Sequence, residues 1–124
     1  MNYLFDTNVI IDLLDAKLPV ANAGKLANII VELSSISKIE LLGYHKITPA
    51  HQLLIENFLQ QSIIYPMDET IINRAIIIRR QTNLKTPDAI IAATAIENNL
   101  PLLTHNIKDF GRVTGLNVID PYTL

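Results

Sequence analysis

Asp6, Glu40, Asp88 and Asp109 each stand where a strand-like or loop segment gives way to the start of a predicted helix. Where parallel strands alternate with helices, such junctions collect along the carboxyl edge of the sheet, the edge on which open α/β folds bind their ligands. The order of the chain therefore predicts that the four acids meet. Two ionised carboxylates about 6 Å apart repel by roughly 3 kcal/mol at an effective dielectric of about 20. A cluster of four must either hold cations or keep protons well above the usual carboxylate pKa of about 4. The pattern points to a divalent-metal site.

Taken singly, each acid also has an ordinary structural role. Asp6 can cap the helix that follows it, where a negative charge suits the positive end of the helix dipole. Ser37 and Glu40 fit the reciprocal capping box Ser-x-x-Glu. Thr86-Pro87-Asp88 reads as a hydroxyl cap, a proline in the first turn and a first-turn acid, and Asn106 with Asp109 repeats the cap-plus-acid pattern. Capping requires no convergence. The metal reading depends on the fold sending all four acids to one rim, and that depends on a strand order the sequence does not fix.

The elements that must do this are short. Tyr3 to Phe5 reads as the first strand, and Val9 to Leu14 as the helix after it. Beyond the breaker Pro19, a weak helix reaches about Ala27, followed by a β-branched strand from Ile29 to Ser34. Ser37 to Tyr44 is the next helix, stopped near Gly43, and Pro49 opens another whose apolar side carries Leu53, Leu54 and Phe58. Ile63 to Tyr65 is the third strand. Asp68 caps a helix to about Gln81 whose isoleucines 71, 72, 76, 77 and 78 cover more than one face, as in a helix buried between sheet and neighbouring helix or one at a subunit interface. Ala89, Ala92, Ala93 and Ile96 give the helix opened by Thr86 a small-residue face for close packing. Leu102 to Thr104 is strand four, a turn or short helix follows Asn106, and Asn117 to Asp120 is the last strand. Alternation of this kind implies an α/β fold with a parallel sheet of four to five strands, wound on both faces, in one domain over residues 1–124.

Composition agrees. The chain has 124 residues, enough to bury a core without staples, and its 49% hydrophobic content suits a sheet covered on both sides. With no cysteine, disulfides and thiolate metal sites are excluded, and a reducing cytoplasm is the expected location. No apolar run is long enough to span a membrane, and Asp6 and Asp12 interrupt the N-terminal one, so no signal peptide is read there. The net charge of -2 looks wrong for a nucleic-acid partner, yet neutralising the four acids turns the balance to +2. Lys38, Arg79, Arg80, Lys85, Lys108 and Arg112 then lie near the predicted rim in sequence.

At these residues the chain resembles the PIN domains, and among them the ribonuclease toxins of VapBC toxin–antitoxin pairs. Four segments carry the likeness: YLFDTNVIIDLL at 3–14, LSSISKIELLGY at 33–44, TPDAIIAATA at 86–95 and THNIKDF at 104–110. Their order and spacing match, and the likeness covers essentially the whole chain. The resemblance implies a three-layer α/β/α fold, with Asp6, Glu40 and Asp88 as catalytic metal-binding acids and Asp109 as the fourth. It implies Asn8, Thr104 and Asn106 as supporting polar residues. His105 stands where many relatives have arginine, and it joins Arg79, Arg80, Lys85, Lys108 and Arg112 as a candidate contact for RNA or antitoxin.

An all-oxygen ligand set suits Mg2+ or Mn2+ rather than Zn2+. The expected activity is hydrolysis of RNA phosphodiester bonds by a water attacking phosphorus in line. Unpaired RNA is the expected substrate, because reading RNA bases requires them unstacked. The resemblance also implies a homodimer and an antitoxin whose basic side chains meet the acids. Two rivals fit less well. One is a PIN-type nuclease of RNA processing without an antitoxin. The other is a non-enzymatic, receiver-like Mg2+-binding signalling domain, which would need an acid pair after strand one and an aspartate ending strand three, where this chain has Tyr65-Pro66.

Overall fold

A computed structural model describes residues 2–124. Five parallel strands form one sheet in the order β3-β2-β1-β4-β5, with β1 at Leu4–Phe5, β2 at Glu32–Ser34, β3 at Ile63–Tyr65, β4 at Leu102–Leu103 and β5 at Val118–Ile119. From β1 the chain first builds outward through β2 to β3, then returns to lay β4 and β5 on the other side. The order therefore reverses between β1 and β4, which makes the carboxyl end of that pair the topological switch point.

Helices cover both faces, and the pleat decides which strand residue serves which. Leu4 and Leu102 point into one apolar cluster, while Phe5 and Leu103, one residue on, point into the other. The first cluster is completed by α5 (Glu69–Thr82), α6 (Thr86–Glu97) and Phe110 of α7 (Ile107–Phe110); the second by α1 (Thr7–Leu14), α2 (Val20–Leu26), Leu41 of α3 (Ser35–Leu42) and Leu59 of α4 (Pro49–Gln60). Three layers result. In α6 every residue from Ala89 to Ala95 is buried, and its small side chains let it lie close against α5 and the sheet. Ile71 and Ile78 of α5 face that contact, whereas Ile76 and Ile77 remain 44% exposed on its far side.

Local chemistry departs from the sequence reading in four places. Ser37 is not the cap of α3: Ser34 is, accepting from the Ile36 N–H, so the Ser37–Glu40 capping box does not form and Ser37 is buried one turn inside. Thr86 is not the cap of α6 either, since Lys85 holds that position with no side-chain bond. The second strand is shorter than expected because the Ile29 N–H turns back to the Leu26 carbonyl, leaving only Glu32–Ser34 extended. In α4, Leu53 and Leu54 are 61% and 46% exposed, and burial falls to Leu59 instead. The caps Asp68 and Asn106 are as expected, and Thr48, ahead of Pro49, caps α4; each accepts a backbone N–H of the following first turn.

Candidate active site

Asp6 follows directly on β1, at the switch point. It occupies the N-cap position of α1, yet its side chain makes no capping bond. That frees the carboxylate for another task. Its Oδ2 instead accepts from the hydroxyl of Thr104, the residue after β4, at 2.8 Å. Both groups are buried, and the two strands that carry them are direct neighbours.

The other three acids reach the same rim by different routes. Glu40 sits in the last turn of α3, exposed, and its Oε1 accepts from the buried Thr7 hydroxyl at 2.7 Å; the same hydroxyl lies 2.8 Å from that of Ser37. Asp88 is the third residue of α6 and is half-buried. Asp109, on α7, accepts from Asn106 Nδ2 at 3.1 Å and from the Arg112 guanidinium at 2.6 Å.

Electrostatics connects them. Burial pushes the Asp6 carboxyl up to about 6; the negative fields of Asp88 and Glu40 push the same way, while bonds from Thr104 and the Thr7 backbone oppose them. Asp88 is also raised, by burial first and then by the charges of Glu40 and Asp109, with Lys85 pulling it down. Asp109 moves oppositely: the Asn106 hydrogen bond, then that of Arg112, holds it below its ordinary value. The four acids are thus linked in a chain of fields, with Glu40 and Asp88 acting on Asp6 and with Glu40 and Asp109 acting on Asp88. They do not close into a shell, because among the described residues no group of three acidic or histidine side chains is arranged to hold an ion. Thr104, Thr7 and Arg112 each hold one acid in place.

A set of hard carboxylate oxygens, two of them raised by burial and by neighbouring negative charge, suits a divalent cation, whose positive charge would offset that repulsion. Sequence reasoning missed Thr7 and Ser37. The only signal for Thr7 was its place beside Asp6, and for Ser37 an apparent cap that proved to be something else. Asn8, expected to support the acids, is exposed and makes no side-chain hydrogen bond among the described residues. Of the basic residues, Arg79 donates to the Leu84 carbonyl and so braces the turn from α5 to α6, and Arg112 is paired with Asp109. Lys85 and Lys108 lie close enough to act on Asp88 and Asp109, and Arg80 is exposed on the last turn of α5. Beside Glu40, a groove of about 330 Å3 opens between α1, α3 and α4, lined by Ile11, Leu14, Tyr44, Leu54 and Ile55 and edged by Asp15. No helix among the described residues is long and apolar enough to cross a membrane.

Comparison with known proteins identifies relatives of the whole fold. Over 41 residues the chain is 46% identical to "Ribonuclease VapC1" of Rickettsia felis, a match that takes in 33% of this chain and 31% of that protein, so it spans about a third of the curated relative. A toxin–antitoxin complex from Klebsiella pneumoniae contains a chain 31% identical to this one, with a TM-score of 0.77 and 98% of both chains covered. VapBC-1 from nontypeable Haemophilus influenzae superposes with a TM-score of 0.83 at 26% identity, again over 98% of each chain. The family model of the PIN domain matches residues 3–116, and the chain belongs to that family.

Proposed function

We propose that this protein is a metal-dependent endoribonuclease toxin, cytoplasmic and held in check by a cognate antitoxin. The observation that carries the reading is Asp6: a buried carboxylate at the switch point, unused as a cap, hydrogen-bonded by Thr104 and raised by Asp88 and Glu40. Relatives named as a ribonuclease and as toxin–antitoxin complexes support it.

Asp6, Glu40 and Asp88 would hold Mg2+ or Mn2+, with Asp109 as the outer member of the set. When bound, such an ion supplies positive charge to the phosphodiester and acidifies water for in-line attack. The chain's own residues do the arranging. Thr104 orients Asp6, Thr7 orients Glu40, and Asn106 with Arg112 fixes Asp109. No side chain has to act as nucleophile. Arg80, Lys85 and Lys108 supply positive charge for the RNA backbone at the rim, while Arg79 serves the turn and Arg112 serves Asp109.

The antitoxin would cover the site. The groove beside Glu40 combines apolar walls with the carboxylates of Glu40 and Asp15, which suits a segment that buries aliphatic side chains and presents an arginine to the acids. The exposed Ile76 and Ile77 of α5 are our candidate surface for a homodimer. We take residues 1–124 as a single PIN domain.

The test is cleavage of cellular RNA by purified protein with Mg2+ or Mn2+, with chelator, and as Asp6→Asn. Activity that survives either the chelator or the substitution defeats the proposal. Co-expression with the product of a neighbouring small reading frame should yield a stable complex with no activity. If the nuclease is active and no such partner exists, the processing-nuclease reading takes its place.

A further inference from the structure

Between Thr104 and Asn106, the residues that hold Asp6 and Asp109, stands His105, with 67% of its side chain exposed. It is nonetheless fixed. Its Nδ1 lies 3.2 Å from both carboxylate oxygens of Asp120, the residue after β5, and donates to them. Its ring packs on Tyr122 with centroids 4.7 Å apart and planes tilted by 55°. Tyr122 is itself tied, its hydroxyl donating to Asp12 Oδ2 of α1 at 3.2 Å and its backbone N–H to Asp120 Oδ1 at 2.9 Å. The turn Pro121–Thr123 that carries it is pinned to α2, where Asn22 Nδ2 donates to the carbonyls of Pro121 and Leu124. Two aromatic rings are therefore held still at the rim of the acid site and left open to solvent.

We propose that His105, braced by Tyr122 and Asp120, is a stacking platform for one unpaired nucleobase of the RNA next to the scissile bond. The inference rests on the nuclease reading and names a part of the substrate that reading leaves open. Charge decides between a base and a phosphate. An imidazolium at His105 is matched by Asp120, and a neutral imidazole leaves the pair negative; neither state offers net positive charge to a phosphate. What remains available is the ring face. Unpaired bases stack on histidine and tyrosine with little regard to sequence, and rings fixed in advance lose little freedom on binding. The other exposed aromatic pair, Tyr44 and His45, has centroids 5.5 Å apart and no polar side-chain bond fixing either ring among the described residues.

The experiment uses Asp6→Asn protein, which should bind without cutting, and unstructured RNA oligonucleotides carrying 2-aminopurine at successive positions. Fluorescence should be quenched on binding at one position, lose that quenching when His105→Ala is added, and regain it with His105→Phe, which keeps a ring without the charge. In the cleaving protein, His105→Ala should raise KM about tenfold with kcat nearly unchanged, and leave the salt dependence of binding as it was. Quenching at no position, or quenching that survives His105→Ala, overturns the platform. So does a flatter salt dependence in His105→Ala, which would make the residue a phosphate contact. Base quenching by a protein that cuts no RNA would instead uphold the platform and remove the nuclease.

Discussion

Asp6 and Asp109 are the same side chain at opposite ends of one site, and their surroundings drive them in opposite directions. Asp6 is buried at the switch point with one hydroxyl donor and two acidic neighbours, so its carboxyl is pushed up to about 6. Asp109 is partly exposed, with an amide and a guanidinium against it, and it is held down. The inner end lacks positive charge and the outer end already has some. Under the proposed metal reading, such a gradient would make Asp6 the residue on which cation binding turns, and Asp109 a partner of Arg112 that an incoming ion would have to share.

The comparison breaks most sharply under substitution. On the proposed mechanism Asp6→Asn removes a charge that would help hold the cation, and kcat/KM for RNA should fall by about a thousandfold or more, equivalent to several kcal/mol of transition-state stabilisation. Asp109→Asn should cost about tenfold, because its charge is partly met already. Equal losses, measured by single-turnover cleavage, would erase the distinction between the two ends.

Protons offer a second test, in the metal-free protein. Because the folded-state pKa of Asp6 lies above its unfolded value, the folded chain binds the proton more tightly, and the associated stability is fully present below about pH 4. It is lost as pH rises through about 6, by up to about 3 kcal/mol. Denaturant melts at pH 4 to 7.5 should show that fall, and Asp6→Asn should flatten it while stabilising the protein at neutral pH. Asp109 acts with the opposite sign: its contribution is present above its ordinary pKa and disappears as pH drops below it. Mg2+ at pH 7.5 should recover the stability that deprotonating Asp6 removes.

Smaller effects sharpen the picture. Thr104→Val deprives Asp6 of its donor and should weaken Mg2+ binding or activity by about 10- to 100-fold, and Thr7→Val should do the same to Glu40 within the lower part of that range. Arg112→Ala should raise the Asp109 pKa toward its ordinary value, as carbon-detected NMR titration would show, with the least effect on cleavage of the set. A loss from Arg112→Ala as large as that from Thr104→Val would mean the arginine touches substrate.

The helices and strands were legible because their signals are local: Pro49 and Asp68 open helices by chemistry contained within one turn, and Ile63-Ile64-Tyr65 joins two β-branched residues and an aromatic one ahead of Pro66. Ser37 shows the limit of such reading. Its spacing to Glu40 fits a capping box, yet Ser34 sits three residues earlier with the same chemistry and takes the cap, after which Ser37 turns inward to meet Thr7. Apolar pattern also misled in α4, where Leu53 and Leu54 look like core but lie on the side facing solvent.

By itself the sequence determined which acids are present, that Asp6, Asp88 and Asp109 stand at the mouths of helices, and that the elements alternate; these follow from residue type and neighbours along the chain. Glu40, expected at a helix start, lies in the last turn of α3 because that helix begins at Ser35. Only the tertiary structure decided that β4 lies against β1, and with it that Thr104 reaches Asp6 across 98 positions of sequence. Strand order is set by which apolar faces bury best together, a sum over the whole chain that no segment carries alone. The raised state of Asp6 comes from the same source, since burial and the nearness of Asp88, Glu40 and Thr104 exist only once the sheet has closed around it, whereas Asp109 is held down locally by Asn106 and Arg112, each three residues away.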